Sequence, residues 1–516
     1  MHHKPNVLLI VIDCLRSDRV FSANRTCRTP NIDRLVEGGA SFPNVFVENS
    51  MTAPSFASLL TGRYGANQGV VGMVGVKLFD QAATMAEIFA ANGYETYAEV
   101  TGPLSPILGL DRGFSHYRCR HQKAYSFSEW GRDLLQRLQG GTFRSPFFLL
   151  VHFWEAHVPR QVQPEFDSPA YGTTAYDRSL SGLDVYIGEL LRAAGRETVV
   201  IFTSDHGECV GEVPEGETLL PYFLDKLNLP PIGTEPNELI DTTVELMAEK
   251  ARLHRFAAEI TQMTTNGGRR IALGKRTLML WNLLMIGLSR YGKQGKRGLR
   301  SGLFADFRQK VRDLMLFLNV ARGRAQEAQV ELVRNSLNEH KLQHGYHIYE
   351  YLQRVPVVFV GPGGLPKGRR IATEIRHIDL LPTVIEAFGL ETTADGFDGR
   401  SYYKELTNGG GANRSIYLEA RGGAQAERVF LIRGIRTDSR KLAYAPFESD
   451  APVEYYDLSA DPQECRNRAA AEHESVRSLR EQAESIKASF SARSPDALSP
   501  AENLEMVKKL KSLGYL

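Results

Sequence analysis

Cysteine is scarce in this chain of 516 residues, and its few copies are not arranged in pairs. The five cysteines stand at positions 14, 27, 119, 209 and 465, and no two of them form a CxxC pair. Their odd number argues against a disulfide framework. Reduced thiols fit this pattern better, so we expect a cytoplasmic protein.

Net charge and long apolar runs are lacking as well. The formal net charge is +2, so no global field draws the chain to nucleic acid, and no nucleic-acid partner is expected. No apolar run reaches the roughly 18 residues needed to span a bilayer. The run Val7–Ile12 leads directly into Asp13, which is typical of a buried parallel strand rather than of a signal peptide.

The remaining composition is that of an ordinary globular protein, with 42% hydrophobic and 24% charged residues. Short β-branched or aromatic runs alternate with helix-like segments. The predicted strands are Val7–Ile12, Tyr94–Val100, Phe147–Phe153, Thr198–Thr203 and Val355–Val360. The predicted helices are Ala53–Leu60, Thr84–Asn92, Phe127–Leu138, Tyr176–Ala194 and Asp379–Phe388. This alternation predicts an α/β fold, with a mostly parallel central sheet and helices on both faces.

Polar side chains follow three of the predicted strands. Asp13 follows the first strand, His157 lies just past the strand in "FFLLVHFW", and Asp205 and His206 follow "TVVIFTS". Ligands in such sheets bind beyond the carboxyl ends of the strands. Two carboxylates and an imidazole suit a divalent cation such as Mn²⁺, Zn²⁺, Mg²⁺ or Ca²⁺. The sequence therefore predicts a metal site at this edge.

Thr52 stands before the apolar, helix-like run that starts at Ala53, with Pro54 in its first turn. This placement predicts Thr52 at the N-cap, where the helix dipole favours an oxyanion. A metal ion there would lower the pKa of the hydroxyl and make it a nucleophile. For Thr52 taken alone, a purely structural cap is the alternative interpretation.

The alternation stops between residues 213 and 343, which we interpret as a helical insertion. Its inner part, 266–325, holds 14 Lys or Arg against 2 Asp. Basic charge beside apolar helical runs suggests peripheral contact with an anionic membrane, or a cap that holds an anionic substrate. The alternative is a helical subdomain whose apolar face packs on the core and whose charges are solvated.

After the insertion the alternation resumes and then changes. We predict a catalytic α/β domain of residues 1–212 and 344–400. Short strand-like runs and a polar helix predict a smaller C-terminal α+β domain of residues 401–516.

Eight stretches along the chain resemble the alkaline phosphatase/sulfatase superfamily, specifically its sulfatase-like branch with a threonine at the nucleophile position. They are "PNVLLIVIDCLRSDRV", "TAPSFASLLTGRY", "LGLDRGFSHY", "PFFLLVHFWEAHVP", "VVIFTSDHGE", "HGYHIYEYLQRVPVVFVGPG", "IRHIDLLPTVIEAFGL" and "EYYDLSADPQECRN". They occur in family order over nearly the whole chain outside 213–343. The resemblance implies an alkaline phosphatase-like fold.

The same resemblance implies a role for each matching residue. Asp13, Asp205 and His206 would hold the metal, with Thr52 as both ligand and nucleophile. His157 would contact the transferred group or the leaving oxygen, and His344 would donate a proton to the leaving oxygen.

The departures from the family pattern concern the same site. Sulfatases oxidise a Cys or Ser at the position of Thr52 to formylglycine, whereas a threonine would give a ketone, so no formylglycine is expected. The Arg of their "CxPSR" pattern is Phe56, their tandem Asp pair is Asp13-Cys14, and their Gly-Lys-Trp-His block is absent. Their second metal segment commonly ends Asp-Asn, where this chain has Asp205-His206. With these changes the chain resembles superfamily members that have a Thr nucleophile and a Mn²⁺ or Zn²⁺ ion and act on phosphate esters. No second metal set of the Asp-x-x-x-His type is evident, so one ion is expected, with Ca²⁺ or Mg²⁺ as alternatives.

Three functions remain open from the sequence. The favoured one is a metal-dependent hydrolase or transferase that cleaves or transfers a phosphoester group through Thr52. The alternatives are a sulfuric ester hydrolase and a non-catalytic, membrane-associated protein on a sulfatase fold. The expected substrate is an anionic ester, linked either to a glycan or to a lipid.

Overall fold

The fold is that of a computed structural model, which describes residues 4–121, 124–210, 219, 344–362, 365–421, 431–490 and 498–512. All the described residues belong to one compact unit. The predicted insertion at 213–343, apart from position 219, and its basic segment 266–325 lie outside the described residues. The predicted domain boundaries remain predictions.

A nine-stranded sheet forms the centre of the molecule, with the order β4-β3-β5-β1-β6-β7-β2-β8, and β9 pairs with β2. Most neighbours are parallel, whereas β7 is antiparallel to both β6 and β2. The strands are β1 Asn6–Ile12, β2 Ala40–Phe46, β3 Glu95–Val100, β4 His116–Cys119, β5 Phe147–Phe153, β6 Thr198–Ser204, β7 Arg354–Val360, β8 Arg369–Arg370 and β9 Ile375–Arg376.

Helices cover both faces of this sheet. The described helices are α1 Asp18–Phe21, α2 Pro30–Gly38, α3 Thr52–Thr61, α4 Gly65–Gln68, α5 Met85–Ala91, α6 Glu129–Gln139, α7 Ala175–Ala194, α8 Glu350–Gln353, α9 Leu380–Phe388, α10 Tyr403–Asn408, α11 His473–Ala488 and α12 Pro500–Ser512. Strand β1 shows the two layers, because its side chains alternate between two apolar cores. Val7, Leu9 and Val11 pack in the core that contains α3 and α5, whereas Leu8 and Ile10 pack with α6 and α7. The predicted α/β fold class is confirmed.

Several elements escaped the sequence pattern, and strand β2 and helix α12 are examples. Strand β2 carries Pro43 and Asn44, residues that disfavour strands. Its pairing with β7 shifts register between Phe42 and Val45, and this irregularity accommodates the proline. Helix α12 lies in what the sequence suggested was only a tail.

A second, antiparallel sheet follows in the C-terminal part, with the order β10-β11-β12-β13. Its strands are β10 Ile416–Ala420, β11 Ile432–Arg436, β12 Arg440–Tyr444 and β13 Glu454–Asp457. Leu479 and Ala483 of α11 pack against this sheet. These elements confirm the predicted smaller α+β part. Among the described helices, none combines the length and the apolar character needed to cross a membrane.

Glu48, where the central sheet meets β10, supports a prediction about stability. It is 4% exposed, and burial raises its pKa from 4.5 to about 8. Between these two values the folded protein keeps a proton that the unfolded chain releases, so stability falls as pH rises, by roughly 1.4 kcal/mol per unit. Glu48→Gln should remove this dependence of the free energy of unfolding on pH. The variant should therefore become increasingly more stable than wild type as the pH rises from about 5 to about 8. Urea unfolding of both proteins across this window measures the difference; parallel pH profiles would contradict the prediction.

Candidate active site

The site lies at the carboxyl edge of three neighbouring parallel strands. Strand β1 lies between β5 and β6, and its last residue, Ile12, is in register with Phe153 and Ser204. Asp13 and Asp205 come directly after Ile12 and Ser204, and both are fully buried. The parallel register therefore brings together two carboxylates that are far apart in the sequence.

Thr52 points its hydroxyl into this pair. Its Oγ1 donates to Asp13 Oδ2 at 3.3 Å and lies 3.3 Å from His206 Nε2. The predicted N-cap position is wrong by one residue, because Met51 is the cap and Thr52 is the first helical residue. Met51 has the extended backbone of a cap residue, and the Thr52 hydroxyl contacts Asp13 and His206.

Asp205 has one satisfied and one unsatisfied oxygen. Its Oδ1 accepts hydrogen bonds from the amides of Cys14, at 3.2 Å, and His206, at 2.9 Å. Its Oδ2 is buried and has no hydrogen-bond partner, although His206 Nε2 lies 3.4 Å away. A buried carboxylate oxygen without a partner is costly unless a cation binds it.

His206 presents a lone pair to the same space. Its Nδ1 lies 2.9 Å from the carbonyl oxygen of Gly207, which can only accept, so Nδ1 carries the proton. Burial lowers the pKa of His206 well below its ordinary value, and the neighbouring His344 lowers it further, so the ring is neutral. Nε2 therefore faces the oxygens of Asp13, Asp205 and Thr52 with a lone pair, as a metal ligand does.

The pKa shifts of Asp13 and Asp205 indicate that a positive charge would be favourable between the two carboxylates. Burial, and then the charge of Asp205, raise the pKa of Asp13 well above its ordinary value. Burial likewise raises the pKa of Asp205 to about 7. A divalent cation among these groups would lower both pKa values again, because its positive charge stabilises the two ionised carboxylates. Asp13, Asp205, His206 and Thr52 thus fit a metal ion by their donor set and by the partnerless Oδ2.

His157 and His344 lie beside this set. His157 follows β5 and is 5% exposed; its ring stacks on Trp154 at 3.9 Å, and its Nδ1 lies 2.6 Å from the carbonyl oxygen of Val158. The His344 ring centroid lies 4.5 Å from that of His206 and 5.0 Å from that of His157. The structure therefore brings all six predicted residues together, whereas their chemical roles remain predictions.

The loop that carries His344 is held in place by two contacts. Gly345 has φ +82, and a Cβ there would lie 2.9 Å from the Met51 side chain, so only glycine fits easily. The Gly345 amide donates to Ser50 Oγ at 3.1 Å, and His347 pairs with Glu454 of β13 at 3.1 Å. The C-terminal sheet thereby supports the position of an active-site histidine.

Three buried residues of the site were missed by the sequence reasoning. His152, inside β5, places Nε2 3.2 Å from Asp13 Oδ2. Glu208 lies 3.3 Å from His344 Nδ1, and the Cys14 thiol donates to Asp13 Oδ1 at 3.0 Å. A histidine in the otherwise apolar run "FFLLVHFW" was the available signal for His152. For Glu208 the signal was its place two residues after His206.

Comparison with known protein families agrees with this geometry. A family model described as Sulfatase matches residues 5–390, which is more than half of the chain. This chain belongs to the sulfatase family. A second model, described as N-sulphoglucosamine sulphohydrolase, C-terminal, matches residues 338–489. The resemblance stated from the sequence is confirmed at the level of the family, whose members depend on a metal ion, typically Ca²⁺.

Curated relatives match over different lengths. A sulfatase of Formosa agariphila is 21% identical, over 90% of this chain and 83% of its own. An N-acetylglucosamine-6-O-sulfatase of Bacteroides thetaiotaomicron is 22% identical, over 90% of this chain and 82% of its own. The human arylsulfatase A is 26% identical, but the match covers 39% of this chain and only 52% of that protein.

Solved structures share the fold at low identity. One, a complex with its substrate D-glucosamine-2-N,6-O-disulfate, has a TM-score of 0.58 at 14% identity and covers 96% of this chain and 99% of that chain. The phosphonate monoester hydrolase of Agrobacterium radiobacter has a TM-score of 0.59 at 17% identity, with coverages of 95% and 96%. Taken together, the comparisons favour the sulfuric ester hydrolase, which the sequence offered as an alternative, over phosphoester transfer.

Proposed function

We propose that this protein is a metal-dependent hydrolase of sulfuric esters carried by an anionic glycan. The observation that carries the proposal is the buried set of Asp13, Asp205, His206 and Thr52, whose donor atoms and partnerless Asp205 Oδ2 fit a divalent cation at the edge of a sulfatase-family sheet. Neighbours whose substrates are sulfated sugars support the choice of ester and of glycan.

The metal ion would be held by the two carboxylates, by His206 Nε2 and by the Thr52 hydroxyl. When bound, it supplies Lewis-acid polarisation of the ester oxygens and lowers the pKa of an adjacent hydroxyl. Asp13 keeps the Thr52 hydroxyl oriented through the hydrogen bond to its Oδ2. His152, also bonded to Oδ2, restricts the carboxylate of Asp13 in turn.

Thr52 acts as the nucleophile through its hydroxyl in this proposal, without conversion to formylglycine. Its Oγ1 forms a bond to sulfur while the bond from sulfur to the leaving oxygen breaks. The proton of the hydroxyl passes to Asp13, whose Oδ2 already accepts the hydrogen bond from Thr52 Oγ1. Water then cleaves the threonine ester and restores the hydroxyl.

His157 protonates the leaving oxygen. Because its Nδ1 proton is committed to the Val158 carbonyl, Nε2 is the nitrogen that exchanges a proton with the substrate. Its stacking on Trp154 limits rotation of the ring.

Replacement of His157 by asparagine tests this role. We expect a loss in kcat of about a hundredfold or more for alkyl sulfates, whose leaving oxygen needs a proton. The loss should be below about tenfold for aryl sulfates with acidic phenols, which leave without one. Rates measured across phenols of graded acidity check the prediction, and His116→Asn, an exposed histidine that stacks on Tyr97, is the control. Equal losses for all leaving groups would contradict it.

A phosphoester hydrolase or transferase is the second candidate, favoured by Thr52 itself. The β-methyl group of threonine prevents its oxidation to an aldehyde, and a hydroxyl activated by a metal is suited to in-line attack on phosphorus. The structural match to a phosphonate monoester hydrolase shows that the shared fold is compatible with this choice.

A substrate panel separates the two candidates. The full chain, stripped with EDTA and reloaded with Mn²⁺, Zn²⁺ or Ca²⁺, is offered aryl sulfate, sulfated glucosamine, aryl phosphate, phosphodiester and phosphonate ester. We expect metal-dependent release of sulfate, faster from the sulfated sugar than from the aryl ester. Turnover of phosphorus esters alone would overturn the first proposal in favour of the second. No turnover from any metal-loaded form would contradict both.

A further inference from the structure

A second cluster of donor atoms adjoins the metal set and has no part in the proposed function. It consists of the thiol of Cys14, the carboxylate of Glu208 and the ring of His344. Cys14 Sγ lies 3.5 Å from Glu208 Oε2 and 3.9 Å from His344 Nδ1, and Nδ1 lies 3.3 Å from Oε2. Cys14 and Glu208 are fully buried, and the His344 side chain is 9% exposed.

These three separations fit one face of a tetrahedron around zinc. With Zn–S near 2.3 Å and Zn–N or Zn–O near 2.0 to 2.2 Å, tetrahedral angles place the ligand atoms about 3.4 to 3.6 Å apart. The observed distances of 3.3, 3.5 and 3.9 Å lie close to this range. A small movement of the sulfur or of the His344 ring would complete the fit.

The thiol is held at this position by an uncommon backbone conformation. Cys14 has φ +65, a left-handed value that is unfavourable for a residue other than glycine. Its amide donates to Asp205 Oδ1 at 3.2 Å, and its carbonyl accepts from the Tyr176 hydroxyl at 2.7 Å. Both anchors fix the direction of the side chain toward Glu208.

We propose that Cys14 Sγ, Glu208 Oε2 and His344 Nδ1 bind a second divalent cation, zinc, next to the first metal position. Soft sulfur together with nitrogen and oxygen selects zinc over calcium. Three protein ligands leave a fourth position for water or a substrate oxygen. The inference deepens the proposed function and departs from the single ion expected from the sequence. His344 is then a ligand, and His157 alone remains as the acid.

The surroundings of Cys14 accommodate two arrangements of charge, one without zinc and one with it. Without zinc, the thiol donates to Asp13 Oδ1, His344 bonds to Glu208, and Arg160 lies 4.0 Å from Glu208 Oε2. With zinc, the thiolate lies beside Asp13, and cations on both sides neutralise the two negative charges. The two states differ in a measurable property, which is a bond between metal and sulfur.

Metal counting and cobalt spectroscopy on the full chain test the proposal. EDTA-treated wild type, Cys14→Ser, Asp205→Asn and Cys465→Ser are reloaded with zinc, separated from free ion and analysed for bound metal. Cys14→Ser and Asp205→Asn should each hold one zinc fewer than wild type, and Cys465→Ser, which removes an exposed thiol, should hold the same number. Far-UV circular dichroism confirms that each variant is folded.

Cobalt loading then identifies the ligand. A sulfur-to-cobalt charge-transfer band is expected in wild type, Asp205→Asn and Cys465→Ser, and should be absent from Cys14→Ser. An undiminished zinc count or a surviving band in Cys14→Ser would overturn the proposal. Loss of the band in Asp205→Asn would also overturn it, because the thiolate would then belong to the first ion. These measurements use no substrate, so a failure of the proposed hydrolysis would be recognised separately.

Discussion

Thr52→Ala is expected to lower kcat for ester hydrolysis by at least about a thousandfold, while metal binding through Asp13, Asp205 and His206 weakens only modestly. The reason is the position of the Thr52 hydroxyl, which lies 3.3 Å from both Asp13 Oδ2 and His206 Nε2, so no other hydroxyl of α3 can replace it. Thr52→Ser keeps the oxygen and should retain activity within about tenfold of wild type. Initial rates at saturating substrate, with metal content measured on the same samples, check both expectations.

Thr61→Ala is the matched control for this experiment. Thr61 lies on the same helix and is buried, but its hydroxyl donates to the carbonyl of Ala57 and lies outside the site. Its kcat should therefore remain close to that of wild type. If Thr52→Ala kept most of its activity while Thr52→Ser did not, a nucleophilic role for the hydroxyl would be untenable. If Thr61→Ala lost as much as Thr52→Ala, the effect would be one of folding.

Asp205→Asn is expected to change stability in opposite directions with and without metal. In the metal-free variant, the amide oxygen of Asn can keep the hydrogen bonds from the backbone amides of Cys14 and His206. Its NH₂ group can donate to His206 Nε2, which in wild type lies 3.4 Å from the partnerless Oδ2. Removing a buried, partnerless carboxylate oxygen should stabilise the metal-free protein by about 1 kcal/mol or more. The stabilisation that wild type gains from the ion bound by Asp13, Asp205 and His206, about 4 kcal/mol at a thousand times Kd, should be largely lost.

Thermal unfolding of both proteins in EDTA and in excess metal measures this crossing. In EDTA, wild type should unfold at a lower temperature than Asp205→Asn. In excess metal, wild type should unfold at a higher temperature than the variant. Asp184→Asn is the control, since Asp184 is a buried carboxylate that accepts from the Ile32 amide far from the site. A variant that stayed below wild type under both conditions would show that Asp205 contributes to the fold rather than to a cation site.

The sequence alone determined the type of fold and the edge on which the site lies. Strand runs such as Val7–Ile12 and Thr198–Thr203 end in Asp13 and Asp205, and local apolar patterns suffice to identify such strands. Because parallel strands share the direction of their carboxyl ends, the convergence of these residues follows without knowledge of the strand order. The strand ends also indicated His157 and His206, the helix start indicated Thr52, and the family motifs added His344; the structure brings all of them together.

Only the tertiary structure decided the details that depend on contacts between distant segments. The antiparallel direction of β7 and the presence of β2, despite Pro43, follow from pairing across the sheet rather than from local propensity.

The second donor cluster shows the same dependence most clearly. Cys14 and Glu208 are 194 residues apart in the sequence, and although each lies beside a predicted ligand, the sequence did not show that they meet. Their approach requires the register between β1 and β6 together with the left-handed backbone at Cys14. Side-chain direction at a strand end is set by such packing and hydrogen bonds, which the local sequence does not encode. The strand ends and the family motifs therefore located the first set of ligands and His344, and the folded geometry revealed that Cys14 and Glu208 approach His344.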